Sequence, residues 1–133
     1  MTVAPGVWRD ANEPRGLRFA NSMERWPILN ETDLAHLHTA IELARSARNH
    51  GNHPFGAILV GADGRVLAQA ENSVVTTRDC TGHAELNLVR LASTRHGEAE
   101  LAGSTLYTST EPCAMCAGAI FWGGIRRVVY ALD

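Results

Sequence analysis

His83-Ala84-Glu85 and, thirty residues further on, Pro112-Cys113-Ala114-Met115-Cys116 are the residues of this 133-residue chain whose types and spacing can do chemistry. A histidine and a Cys-x-x-Cys pair are good zinc ligands, and three protein ligands leave the fourth tetrahedral position open to water. That separates a catalytic zinc from a structural one. Zinc lowers the pKa of such a water toward about 7. A free carboxylate two residues after the histidine can move the protons, a contribution of ~10²–10⁴ in rate. His83, Cys113 and Cys116 as ligands with Glu85 as general acid and base therefore read as hydrolysis. Two thiolates and a neutral imidazole also bring Zn²⁺ close to charge neutrality.

The elements that must position these residues follow from the pattern around them. Both halves of the motif stand where a loop or strand runs into a helix. The partial positive charge of a helix N-terminus favours the thiolate that zinc requires, so the cysteines are expected to have lowered pKa values. Cys113 and Cys116, three apart, share one side of a first turn, and Pro112 suits a helix start because its missing N–H is not needed there. Upstream, Leu34, Leu37, Ile41 and Ala44 recur at helical spacing and predict a helix over about 32–49, ending near Gly51. Residues 55–60 and 65–70 flank the turn signal Gly61-Ala62-Asp63-Gly64 and read as a β-hairpin. Residues 72–82 are polar and turn-rich. A second helix starts near His83, with Leu88, Leu91 and Ala92 on one face, and stops before Gly97. Residues 104–109 form a strand, 113 to about 121 a third helix, and 127–132 a last strand. The order α-β-β-α-β-α-β specifies an α/β fold, a mixed sheet with helices on its faces.

Residues 1–31 differ from the rest. They hold Pro5, Pro14, Pro27, Trp8 and Trp26 without a sustained period, and read as an N-terminal extension, loosely structured or laid over the surface. Residues 32–133 form the catalytic domain, long enough to bury a core without disulfide staples. A formal net charge of −2 provides no cationic track for a polynucleotide. Three cysteines, two of them at metal spacing, point to a reducing, cytoplasmic setting. No run approaches the length of a membrane span, and the N-terminus lacks an apolar signal core.

Some residues admit two readings. Cys80-x-x-His83 with Cys113-x-x-Cys116 would make a four-ligand structural knuckle, in which Glu85 only complements a helix dipole. Asn72 suits a turn or a substrate contact. Trp122, before Gly123-Gly124, suits packing, an interface or a stacking wall. His36, His38, His50 and His96 read as exposed, His53 as a residue of the pocket rim, and Arg126-Arg127 as a solvated strand start.

With these residues in place, the chain resembles the cytidine and deoxycytidylate deaminase superfamily over about residues 32–133. Its paired motif, His-x-Glu then Pro-Cys-x-x-Cys, is the signature of zinc deaminases. Within that superfamily it is more similar to guanine deaminases and related base deaminases than to tRNA adenosine deaminases. The features are Pro54-Phe55-Gly56-Ala57, Asn72, and Cys116-Ala117-Gly118-Ala119-Ile120-Phe121-Trp122. The resemblance implies a three-layer α/β/α cytidine-deaminase-like fold, zinc on His83, Cys113 and Cys116, and Glu85 as proton shuttle. It also implies that Asn72 hydrogen-bonds the substrate ring, that the Ala84 N–H holds its carbonyl, and that Phe55 and Trp122 wall the base. A homodimer is implied as well. Cys80 and Gly82 depart from the commoner Pro and Ala. The family usually continues past the last strand with a helix-rich segment, so these C-terminal elements are expected to be missing from the sequence.

The expected activity is that of a zinc-dependent aminohydrolase acting on cyclic amidines. It would release ammonia from a free nucleobase or small nucleoside with a guanine-like 2-amino-oxo face, such as guanine, isocytosine or ammeline. Cytosine, cytidine or tRNA adenosine would be the competing substrates of the same chemistry. A non-catalytic, zinc-stabilised binding domain is the reading from a different class.

Overall fold

Asn30 accepts the Asp33 backbone N–H at 2.8 Å, and the Asp33 carboxylate accepts the Asn30 N–H at 3.3 Å. This reciprocal cap starts helix α1, Glu31–Asn49. The computed structural model describes residues 6–9 and 29–132. After α1 come strands β2 (Gly56–Val60) and β3 (Val66–Glu71), then the short helix α2 (Val74–Thr77) and helix α3 (Ala84–Ser93). They are followed by α4 (Glu98–Ala102), β4 (Thr105–Thr108), α5 (Ala114–Trp122) and β5 (Arg127–Tyr130), and residues 6–9 form strand β1. The expected α-β-β-α-β-α-β succession is present, with α2, α4 and β1 added to it. Trp26 and most of the proposed extension lie outside the described residues.

The sheet runs β1-β5-β4-β2-β3. Only β4 and β5 are parallel, as their crossover through α5 requires, and the other pairs are antiparallel. β2 and β3 form the expected hairpin, with Gly64 at φ 83° in its turn. Alternation along the strands sorts side chains onto two faces. Ile58, Val60, Tyr107 and Val129 pack with Leu37 of α1 on one side. Ala57, Leu59, Leu106 and Val128 pack with Leu88, Val89 and Ala92 of α3 and Ile120 of α5 on the other. The result is the α/β/α arrangement of three layers. No helix among the described residues is long and apolar enough to cross a membrane.

The face that α1 buries differs from the one its leucines suggest. Leu37, Ala40, Ala44 and Ala47 are buried, while Leu34 and Ile41 are exposed. The cause is a close approach of backbone to backbone. A Cβ on Gly56 would lie 2.4 Å from the Ala40 carbonyl oxygen and 2.5 Å from the Ala44 nitrogen. Ala40 and Ala44 let the helix sit that near to β2, and Leu34 and Ile41 turn outward while Leu37 stays in the core.

A polar clamp sets the same rotation. Asp33, only 4% exposed, accepts the Tyr107 hydroxyl at 2.7 Å and both Arg127 terminal nitrogens at 3.1 Å. Burial opposes the charge of Asp33, but Arg127 and Tyr107 outweigh it and hold the carboxyl below its usual range. Arg127 is therefore not a solvated strand start but half of a part-buried ion pair joining α1 to β5. Two histidines are likewise less exposed than expected. His36 stacks against Tyr107 with centroids 4.9 Å apart, and His96 bonds Glu100 at 2.9 Å and the Leu67 carbonyl at 3.3 Å.

Candidate active site

The polar stretch before α3 is held by its side chains rather than by regular pairing. Asn52 Oδ1 accepts the N–H groups of Val75 and Thr76 at 3.1 and 3.0 Å. Asn87 Nδ2 donates to the Glu71 carbonyl at 3.1 Å and to Ser73 Oγ at 3.0 Å, and Ser73 N–H donates to the Gly82 carbonyl at 2.8 Å. Gly82 has a packing reason, since a Cβ there would meet Ser73 Oγ at 2.8 Å. This network delivers His83 to the N-cap of α3. In the second half of the motif, β4 leads through residues 109–112 to Cys113, the N-cap of α5. Pro112 thus lies just ahead of the cap rather than inside the first turn.

Neither N-cap side chain caps its helix. The two are turned toward each other instead: His83 Nδ1 lies 3.6 Å from both Cys113 Sγ and Cys116 Sγ. The three candidate ligand atoms fall within 4.8 Å of one another. Tetrahedral zinc with Zn–N of about 2.0–2.1 Å and Zn–S of about 2.3 Å has N···S edges of roughly 3.6 Å, so the donors fit that ion in kind and in spacing. Cys80 is exposed and lies outside the cluster, so the four-ligand knuckle does not form.

Burial above all, then the neighbouring Glu85 and Cys113, push the Cys116 thiol pKa up. The expected lowering by the helix N-terminus does not prevail, because Cys116 is completely buried and faces a carboxylate. A divalent cation is the group that reverses such a cost, since metal coordination deprotonates a thiol outright.

Glu85, in the first turn of α3, is 4% exposed. Thr108 Oγ1 donates to its Oε1 at 2.7 Å. Glu85, His83 and Cys113 share a solvent-open cleft of about 110 Å³ with Phe55, Thr110 and Glu111. Of the four candidate substrate residues, only Phe55 is in this lining. Asn72 is buried, and its Oδ1 accepts the Val74 N–H at 3.1 Å, which is the turn role. Ala84, fully buried, is the first residue of α3, where a backbone N–H has no intrahelical acceptor. Trp122 is 85% exposed at the far end of α5, roughly 13 Å of helix rise from Cys113. It does not wall this cleft within the chain. His53, exposed, is not in the lining either.

Three residues of the site were not singled out from the sequence: Thr108, Thr110 and Glu111. The last two stand in the short strand-to-helix junction, residues 109–112, that leads to Cys113, which is the one sequence cue to their place. Thr108 needed the β4 alternation, which places it on the same face as Leu106.

Residues 30–132 match the family described as the cytidine and deoxycytidylate deaminase zinc-binding region. The chain belongs to this deaminase family. It is 49% identical over 105 residues to a probable cytosine deaminase of Schizosaccharomyces pombe, covering 79% of this chain and 63% of that protein. It is 44% identical over 91 residues to a tRNA-specific adenosine deaminase of Agrobacterium fabrum, covering 68% and 59%. The crystal structure of a guanine deaminase from Bacillus subtilis superposes with a TM-score of 0.70 at 41% identity, over 78% of this chain and 65% of that one. The chain thus spans about three fifths of the length of these curated relatives. As members of a zinc-binding deaminase family, His83, Cys113 and Cys116 could form its zinc site.

Proposed function

We propose that this chain is the catalytic domain, residues 32–133, of a zinc-dependent hydrolytic deaminase acting on a free nucleobase or small nucleoside. The observation that carries this reading is the meeting of His83, Cys113 and Cys116 within 4.8 Å beside the buried Glu85, with His83, Cys113 and Glu85 opening onto one cleft. His83, Cys113 and Cys116 would hold the metal, which would supply a Lewis acid and an activated water at neutral pH. Glu85 would take a proton from the attacking water and deliver it to a ring nitrogen. It would then pass the added hydroxyl's proton to the amine, which leaves as ammonia as the C–N bond breaks and the C=O forms. Phe55 covers one face of the ring, and the Ala84 N–H at the start of α3 suits a ring carbonyl. Asn72, whose Oδ1 is held by the Val74 N–H, would reach the ring only through its amide nitrogen.

The preferred substrate carries the 2-amino-oxo face of guanine, isocytosine or ammeline. Support comes from the lining: Glu85 and Glu111 are acidic, and no Lys or Arg lines the cleft among the described residues. Such a cleft disfavours a phosphorylated ligand and accepts N–H donors of a neutral base. A cavity volume of about 110 Å³ is below the usual range of ligand sites and suits a single small ring. Cytosine is the second reading, favoured by the similarity to the fission-yeast protein. Phe121 and Trp122, 68% and 85% exposed on α5, support the expected homodimer, and the free cysteines support a reducing, cytoplasmic setting.

The test is ammonia release from guanine, isocytosine, ammeline, cytosine, cytidine and a tRNA, using wild type and Glu85→Ala with equal zinc content. Release by wild type and its loss by ~10²-fold or more in the variant are expected. Undiminished turnover by Glu85→Ala would refute the mechanism, and salt-sensitive activity on tRNA alone would refute the substrate class.

A further inference from the structure

We infer that Thr108 is a positioning residue for Glu85, holding one carboxylate oxygen so that the other faces the cleft. This rests on the deaminase reading for its effect on turnover, but not for its effect on geometry. Thr108 is completely buried at the end of β4, in a sheet position where its neighbour on the same face, Leu106, is apolar core. A hydroxyl there is a cost unless it is hydrogen-bonded. It has one acceptor, Glu85 Oε1 at 2.7 Å. Among the described residues the other side-chain hydrogen-bond partner of Glu85 is the Cys116 thiol, a weak donor beside the Thr108 hydroxyl.

The pairing joins a flexible acceptor to a stiff donor. Threonine is β-branched and has little freedom at χ1, so the direction of its hydroxyl is set by the strand. β4 is hydrogen-bonded on both sides, by β2 and β5. Ser109, the next residue, locks the strand end further: its N–H donates to the Gly56 carbonyl at 3.0 Å, and its Oγ accepts the Gly56 N–H at 3.2 Å. Glutamate has three side-chain torsions and, at the first turn of α3, several rotamers open to it. Fixing Oε1 to a rigid sheet restricts those rotamers and leaves Oε2 for the reacting groups. The sheet, through Thr108, then fixes one oxygen of the proton shuttle, alongside the Cys116 thiol that also contacts this carboxylate.

The experiment compares wild type, Thr108→Val and Thr108→Ser. Valine keeps the shape and removes the hydroxyl; serine keeps the hydroxyl and removes a methyl. Zinc content, melting temperature, kcat and KM on the best base, and crystal structures are measured for all three. Thr108→Val is expected to lower kcat by about 10- to 100-fold, the scale of a misplaced catalytic group, with KM and zinc content within about twofold. Thr108→Ser should restore most of kcat, and the Glu85 carboxylate should rotate in the valine variant only. A Thr108→Val crystal structure with Glu85 unmoved overturns the inference. So does a serine variant as slow as the valine one. If wild type releases no ammonia from any base yet Glu85 rotates in Thr108→Val alone, positioning stands and the deaminase reading falls.

Discussion

Cys113→Ser should make the metal-free protein more stable and the zinc-loaded protein less stable than wild type, reversing their order. Cys113 has φ −66° and ψ 169°, nearly the backbone of Asn30 at −82° and 171°. Asn30 is a working N-cap, accepting the Asp33 N–H at 2.8 Å, whereas Cys113 makes no cap bond. Serine is among the best N-caps, and placing its Oγ at the same backbone geometry satisfies an orphan N–H of Met115 or Cys116. α5 has no acidic residue in its first turn to do this work. The gain should be about 1 kcal/mol, near the middle of cap substitutions, because Cys113 is exposed. For 133 residues that is roughly 3–4 °C in Tm. With free zinc at 100 times its Kd, wild type gains about 2.7 kcal/mol by linkage, and a variant lacking one thiolate forfeits most of it. Thermal melts of both proteins in chelator and in zinc provide four Tm values. A serine variant below wild type in chelator would show that the Cys113 position is not a vacant cap. A variant still above wild type in zinc would show that Cys113 is not a ligand.

Two further perturbations probe the layer behind the site. Gly56→Ala should destabilise the fold by about 3 kcal/mol, at the upper end of overpacking, because its Cβ would strike backbone atoms of Ala40 and Ala44 at 2.4 and 2.5 Å rather than movable side chains; urea denaturation checks this, and a loss below about 1 kcal/mol would contradict the tight α1–β2 contact. Asp33→Asn should cost about 2–3 kcal/mol at neutral pH, since Arg127 loses its partner but is itself about a third exposed. The folded pKa of Asp33 is depressed, so its contribution is present above the ordinary carboxylate value and fades as pH falls through the lower folded value. The stability gap between wild type and variant, from denaturation at pH 7 down to pH 3, should therefore narrow only below about pH 4; a gap independent of pH would rule out the charged pair.

The site makes a trade that explains its anatomy. Two helix N-caps, positions where Ser, Thr, Asp or Asn would stabilise the chain, are given to a histidine and a cysteine. A third donor, Cys116, is buried against a carboxylate, which raises its pKa. Each choice is unfavourable for the protein alone and sensible for a cation. Local departures of this kind are what mark functional sites in otherwise consistent sequences.

Much of the fold was legible because its signals are local. The capped helix α1, the hairpin with its Gly64 turn, and the strands 105–108 and 127–130 follow from period, propensity and turn residues within a few positions. The short helices α2 and α4 were not, since four- and five-residue helices leave no period to detect. The face of α1 is legible in part, since Leu37 and Ala44 are buried as their spacing predicts while Leu34 and Ile41 are not. Leu34 and Ile41 suit a buried stripe by hydropathy, and nothing nearby in sequence says that Gly56 will press its backbone against Ala40 and Ala44. Arg127 read as solvated because its partners, Asp33 and Tyr107, are 94 and 20 residues away.

The same division holds at the site. The sequence alone determined the ligand types and singled out Glu85 as the proposed proton shuttle, because His83-x-Glu85 and Cys113-x-x-Cys116 place donors at helix starts by spacing only. Tertiary structure decided which candidates meet. It brings His83 within 3.6 Å of both sulfurs and leaves Cys80 outside. It keeps Phe55 in the cleft, sends Trp122 to the far end of α5, and recruits Thr108 to Glu85. The physical reason is that a short motif carries its own geometry, whereas a contact between distant segments exists only once the sheet has set the register that brings them together.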